Sequence, residues 1–218
     1  MKTNSQLLRD VNDQLKWEPS LRDDEIGVAV KDGVVTLSGH VPSFADRYIA
    51  IYVVERVAGV KAVADEIEVK LPSSHARTDT ELAHAAVNVL GWHVQVPDDR
   101  VKVAVREGWI TLEGEVEWQY QRAAAERALR NLTGVRGVRN LISVRPKLIS
   151  EYDVSQKIKD AFRRSADVVA DRITVAAHDG AITLRGSVRS LAELRDAERA
   201  AWGAPGVTKV DDRLVVGT

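Results

Sequence analysis

Cysteine is absent from this sequence of 218 residues, and long apolar runs are absent as well. Without cysteine there are no disulfide bonds, thiolate metal sites or cysteine nucleophiles. No apolar run approaches the roughly 20 residues that a membrane-spanning helix needs. An excess of one charge is also missing, since 31 Lys and Arg residues face 32 Asp and Glu residues. The basic footprint that is typical of nucleic-acid binding is therefore lacking. We expect no nucleic-acid partner and no transmembrane segment.

The first twenty residues lack the apolar core of a signal peptide, because Arg9, Asp10 and Asp13 interrupt them. This predicts a cytoplasmic protein for the sequence as it stands, and a periplasmic one if a leader has been removed. Hydrophobic residues make up 44% of the chain and charged residues 29%, which is ordinary for a folded globular protein.

The sequence does contain a segment that is repeated three times. A Gly-x-x-Thr-Leu-x-Gly pattern occurs at residues 33–39, 108–114 and 180–186. A Gly-Val pair follows it at residues 59–60, 134–135 and 206–207, with the same offsets of 75 and 72 residues. Because both motifs recur at the same two offsets, the sequence contains three copies of one segment. We predict three domains, at residues 1–72, 73–147 and 148–218, with boundaries near Pro72 and Pro146.

The periodicity of each copy predicts helix, strand, strand, helix, strand. In the first copy, Leu7, Val11 and Leu15 recur every four residues, as on one face of a helix. Residues 26–30 alternate apolar and other side chains, which is typical of a strand with one buried face. A glycine at residue 33 suits the tight turn to the next strand. The predicted fold class is α+β, with three tandem αββαβ modules, each a three-stranded mixed sheet with two helices on one face.

These elements resemble the BON domain, a family named for bacterial osmotic-shock and nodulation proteins. The resemblance rests on four features. The first is a Leu-x-Trp sequence that ends the first helix of two copies, at residues 15–17 and 90–92, and the second is the Gly-x-x-Thr-Leu-x-Gly hairpin. The others are the Gly-Val pair after the second helix and the Asp65, Asn140 or Asp212 position before the final hydrophobic residues. It implies a three-stranded mixed sheet backed by two helices. It also implies a binding role towards phospholipid membranes under envelope or osmotic stress. A cytoplasmic sensor of ions or small ligands is an alternative.

Polar residues shared by the copies indicate structure rather than catalysis. Asp24, Asp99 and Asp171 are equivalent, but no shared second acid or histidine accompanies them, so turn capping is the expected role. Asp65, Asn140 and Asp212 exchange acid for amide, which suits a local brace of the backbone and not acid–base chemistry. The five histidines form no His-x-x-x-His pair. We predict no enzyme activity, no metal site and no cofactor.

Residues that differ between the copies point to a candidate interaction surface on the second copy. Trp109 lies on the opposite side of its strand from Ile110 and Leu112, and hence on the open face of the sheet. Aromatic residues at a membrane–water boundary act as anchors, and each nearby cation contributes about 1 kcal/mol at an anionic bilayer. The candidate surface consists of Trp109, Trp118, Tyr120, Arg122, Arg127 and Arg130.

Structural interpretations of the same residues remain open. Trp118 suits packing at a helix start, and Arg122, Glu126 and Arg130 suit i, i+4 pairs on a solvated helix. Trp17 and Trp92 are expected to pack at helix ends. The sequence thus predicts a non-enzymatic binding protein for an anionic phospholipid surface or envelope components in stress. The second alternative is an interaction scaffold that binds proteins or self-associates through the open sheet faces, whose centres carry small residues.

Overall fold

The computed structural model describes residues 2–21, 25–145, 151–164 and 172–217, and for residues 151–153 it describes the backbone only. Asp24, Pro146 and Asp171, on which predictions were made above, lie outside the described residues. The domain boundaries near residues 72 and 147 stay predictions.

Each copy has the predicted order of helices and strands. The first contains α1 (Asn4–Trp17), β1 (Ile26–Lys31), β2 (Val34–Val41), α2 (Phe44–Glu55) and β3 (Ala62–Val69). The second contains α3 (Asp79–Trp92), β4 (Val101–Arg106), β5 (Trp109–Val116), α4 (Gln119–Arg130) and β6 (Gly137–Val144). The third contains α5 (Glu151–Arg164), β7 (Ile173–His178), β8 (Ala181–Val188), α6 (Leu191–Trp202) and β9 (Lys209–Val216).

Each copy forms a separate three-stranded sheet with its second strand in the centre. In the second copy, β5 runs antiparallel to β4 and parallel to β6, so that Ile110 lies between Val105 and Val138. The third copy repeats this mixed arrangement. The predicted fold class is confirmed.

The core of each copy lies on one face of its sheet. In the second copy, Ile110 and Leu112 of the central strand are buried with Leu90 of α3 and Leu129 of α4. Both helices therefore cover the same face. The opposite face carries the intervening side chains, such as Thr111 and the residues of β4 and β5 that alternate with the core.

Local sequence explains where helices begin and where hairpins turn. Thr78 caps α3, since its hydroxyl accepts from the backbone N–H of Glu81 while the Glu81 carboxylate accepts from that of Thr78. The hairpin between β4 and β5 places both Glu107 and Gly108 at positive φ, 53° and 80°. Two central residues at positive φ are typical of the tight turn that matches strand twist.

The chain divides into two compact units. One contains Met1–Gly39, Ile49–Glu66 and Lys147–Thr218, and the other contains His40–Tyr48 and Ile67–Pro146. In the first unit, Glu55 at the end of α2 forms an ion pair with Arg195 of α6. In the second unit, Phe44 from the start of α2 packs against the core of the second copy. The second helix of the first copy thus contributes side chains to both units.

Candidate functional site

Trp109 lies on the open face of the second sheet, as predicted, with 44% of its surface exposed. Its indole ring covers Gly137, the residue that pairs with it on the parallel neighbour β6. A Cβ atom at Gly137 would lie 2.3 Å from the ring atom Cζ3, so the ring occupies the space that any other residue would fill. Sequence reasoning missed this partner, although the offsets of the repeat align Trp109 with Val34 and Gly137 with Ala62.

Elsewhere on the open face of the second copy, small side chains lie where β4 and β5 pair at the centre of the sheet. Ala104 pairs with Thr111 there, and Leu141 of β6 is exposed on the same face. Near one end of β5, Glu115 forms an ion pair with Arg145 at 3.0 Å. Arg139 of β6 pairs with Thr111 and is exposed on the same face. The two apolar groups, Trp109 and Leu141, are therefore separated by a charged side chain.

Trp118 and Tyr120 lie together at the start of α4. Their rings stack with centroids 6.3 Å apart, and Trp118 is half-buried while Tyr120 is exposed. Trp118 precedes the helix without a side-chain cap, and the amide oxygen of Gln121 accepts from the backbone N–H groups of Glu117 and Trp118 instead. The pair presents a flat aromatic group beside solvent.

The three candidate arginines of α4 have different environments. Arg127 is exposed. The guanidinium group of Arg122 donates to the carbonyl oxygen of Asn140 at 3.3 Å. Arg130 forms the predicted i, i+4 pair with Glu126, at 3.8 Å, but its guanidinium carbon also lies 3.1 Å from the ring centroid of Tyr48.

The side chain of Arg130 is only 15% exposed. A cation held over an aromatic face in this way contributes about 0.5–2 kcal/mol to the fold. Arg130 is thus placed in the packing of the second unit, whereas Arg127 is free to face a ligand or surface.

Trp17 and Trp92 are the residues whose role the sequence analysis got wrong. They were expected to pack at helix ends, yet they are 82% and 89% exposed. Their spacing contained the signal: each follows a buried leucine by two residues, which places it about 200° around the helix, away from the core. Val94 follows Trp92 and is 100% exposed. We call Trp92 and Val94 the apolar tip of the second copy.

The local braces predicted for Asn140 and Asp212 are confirmed. The Asn140 side-chain oxygen accepts from the backbone N–H of Ile142 at 3.2 Å, and a carboxylate oxygen of Asp212 accepts from that of Leu214 at 2.8 Å. The amide nitrogen of Asn140 also donates to Glu126 at 3.2 Å.

In the third copy the equivalent pair consists of two acids, Asp212 and Glu198. Burial raises the pKa of Glu198, and the Asp212 carboxylate raises it further, while Arg195 acts in the opposite direction. Burial likewise raises the pKa of Glu55, against the influence of its partner Arg195. Glu198 and Glu55 both lie on the second helices of their copies, α6 and α2.

The acidic residues and histidines do not gather into a metal site: in the part of the chain that the structure describes, no group of three or more could hold an ion. Among the same residues, no helix combines the length and the apolar character that crossing a membrane requires. Asp99 lies in a short 3-10 helix, Asp98–Arg100, directly before β4.

Comparison with known families decides the classification. A family model described as BON domain matches residues 3–70, 78–146 and 150–218. The chain belongs to the BON domain family. Its three copies of helix, strand, strand, helix, strand are three tandem BON domains, and the features that carried the resemblance recur in them.

One curated relative and two solved structures illustrate how far similarity extends. Osmotically-inducible protein Y of Escherichia coli (strain K12) is 30% identical over 126 residues, which are 56% of this chain and 62% of that protein. The match thus spans less than two thirds of the relative. Two structures of CdsD, a structural protein of the type III secretion system of Chlamydia trachomatis, are 18% and 16% identical.

The first CdsD structure matches over 96% of this chain and 91% of its own, and the second over 100% of both, with TM-scores of 0.28 and 0.29. At TM-scores this low the likeness carries no argument about the BON protein described above.

Proposed function

We propose that this BON-domain protein is a non-enzymatic binding protein that docks reversibly on anionic phospholipid surfaces as part of a stress response. The observation that carries the proposal is the apolar tip, where Trp92 and Val94 are almost wholly exposed at the end of α3. Such exposure is unfavourable in water and is relieved at a membrane–water boundary, which tryptophan in particular prefers.

The energy available from the tip suits reversible docking. Burying a large apolar side chain fully contributes about 1.5–3 kcal/mol, and each cation near an anionic bilayer adds about 1 kcal/mol. The second copy carries a net charge of +2 over residues 73–147. Trp17 offers a second exposed tryptophan in the first copy.

The association with stress rests on similarity to a relative that is named for osmotic induction. Membrane docking in envelope stress fits a periplasmic location, because a periplasmic protein can contact the envelope membranes.

Vesicle co-sedimentation tests the proposal. Wild-type protein is mixed with vesicles of phosphatidylglycerol and phosphatidylethanolamine, or with neutral phosphatidylcholine vesicles. We expect binding to the anionic vesicles that weakens with salt, and a loss of about tenfold or more for Trp92→Ser combined with Val94→Ser. Val87→Ser is the matched control, since Val87 is an exposed apolar residue of the same helix. Wild type that stays in the supernatant, or a tip variant that binds like the control, contradicts the proposal.

A second candidate function is association with a protein through the open sheet face of the second copy. Exposure of both Trp109 and Leu141 on this face favours it, because exposed aromatic residues on flat surfaces often dominate protein interfaces. Sedimentation velocity tests the self-associating form. A concentration-dependent dimer that Trp109→Ser or Leu141→Glu abolishes supports it, and a monomer at all concentrations excludes it.

A further inference from the structure

A cleft in the first unit lies between residues of the first and third copies. Its volume is about 790 Å³, within the range of about 300–1,000 Å³ that is typical of small-molecule sites. Its apolar lining includes Leu7, Val215 and Val216, and three cations, Lys2, Lys61 and Arg189, also line it. We propose that this cleft binds one anionic amphiphile, a single acyl chain with a carboxylate or phosphate head.

The apolar wall of the cleft comes from both copies. Leu7 belongs to the buried stripe of α1, and Val215, near the end of β9, is exposed. An acyl chain placed against Val215 removes the apolar surface of this side chain from water, and each methylene of the ligand that is buried there strengthens binding. The wall thus selects for a chain and not for a small anion alone.

The charges of the cleft favour an anionic head. Lys2 forms an ion pair with Asp10 at 2.6 Å, and Arg189 with Glu193 at 3.1 Å. Lys61 has no ion-pair partner among the described residues, and its stem lies against Gly33 at the hairpin turn. Asp32 is the acid in the lining. The Lys61 ammonium group is therefore the cation most available to a carboxylate or phosphate.

The second copy provides an internal comparison, since an equivalent cleft there measures about 320 Å³. Arg136 takes the place of Lys61, with its stem against Gly108. Asp79 replaces Asn4 and accepts from the backbone N–H groups of Glu107 and Gly108, at 2.8 and 2.9 Å. An extra negative charge and a smaller space distinguish this cleft. Both copies place a cationic stem against the hairpin glycine, and this shared contact serves the fold. The larger space and the smaller negative charge occur in the first copy and form the proposed site.

The proposal goes beyond membrane docking, because it concerns a monomeric ligand and residues away from the apolar tip. Isothermal titration calorimetry with laurate and with dodecyl phosphate, both below their critical micelle concentrations, tests it. We expect one equivalent to bind. Dodecyl maltoside keeps the chain without the charge, and acetate and inorganic phosphate keep the charge without the chain, so both kinds of control are expected to bind at least about tenfold more weakly.

Two variants locate the site. Lys61→Gln is expected to weaken laurate about five- to tenfold, while the matched Arg136→Gln in the second copy leaves it unchanged. Val215→Glu puts a carboxylate into the exposed part of the apolar wall and is expected to abolish binding, with circular dichroism checking that the fold is kept. No binding of either probe, equal binding of dodecyl maltoside, or equal affinity in all variants overturns the proposal. If Val215→Glu loses laurate binding but still binds vesicles, the cleft and the apolar tip are independent binding sites.

Discussion

Replacing Gly137 by alanine tests the structural role of Trp109 most sharply. The new Cβ atom would lie 2.3 Å from the indole Cζ3 atom, so the ring has to swing off β6. Trp109 is 44% exposed, and roughly half of its surface is covered by the sheet. Full burial of a large apolar side chain contributes about 1.5–3 kcal/mol, so that losing half of it costs about 0.8–1.5 kcal/mol.

Glycine in a strand is otherwise a weak choice, by about 0.5–1 kcal/mol relative to alanine. We therefore expect Gly137→Ala to destabilise the second copy by about 0.5 kcal/mol when Trp109 is present. In a Trp109→Val background the clash is gone, and the same change is expected to stabilise by about 0.5–1 kcal/mol. The double variant reproduces the pair that the first copy has at the equivalent positions, Val34 and Ala62.

The assay is native-state amide hydrogen exchange in residues 109–116 and 137–144, since it reports the stability of this sheet within the whole chain. A double-mutant cycle then gives the coupling between the two residues, expected at about 1 kcal/mol or more. Additive effects, with alanine acting alike in both backgrounds, would refute the account of Trp109 as a cover for Gly137.

Further predictions concern packed polar groups. Because burial and Asp212 raise the pKa of Glu198, its contribution to stability is present at acid pH and is lost as the pH rises through the raised pKa. Asp212→Asn copies the hydrogen-bonding Asn140 and is expected to stabilise the third copy by about 1 kcal/mol at pH 7 and to flatten its pH dependence. Asn140→Asp should do the reverse in the second copy, and hydrogen exchange at pH 5 and pH 8 checks both, with equal values counting against the acid pair. Tyr48→Leu removes the ring beneath Arg130 and is expected to lower the stability of the second unit by about 1 kcal/mol; unchanged thermal unfolding would contradict this.

The fold was predictable from sequence because every copy solves the same packing problem with the same landmarks. The buried stripe of α1 and the alternation of β1 are local patterns, and three aligned copies removed the ambiguity that one would leave. The place of Trp109 on an open face followed from the same alternation.

The environments of the site residues depended on contacts that local patterns do not contain. Arg130 is held by Tyr48, which belongs to the preceding copy, and Trp109 is fitted to Gly137, which lies on a different strand. The exposure of Trp17 and Trp92 follows from their offset of two residues from the buried leucines. The expectation that tryptophan packs at helix ends is wrong for both residues. Geometry between elements, and not residue type, decided these roles.

The central claim, that the apolar tip enters the membrane, is tested most directly by a probe at the tip. The chain has no cysteine, so Val94→Cys provides a single site for a fluorophore sensitive to polarity, and Leu141→Cys on the open sheet face provides the control. With phosphatidylglycerol vesicles we predict a blue shift and a rise in emission at residue 94 and no change at residue 141. An unchanged spectrum at residue 94, or a shift at residue 141 alone, would contradict the claim.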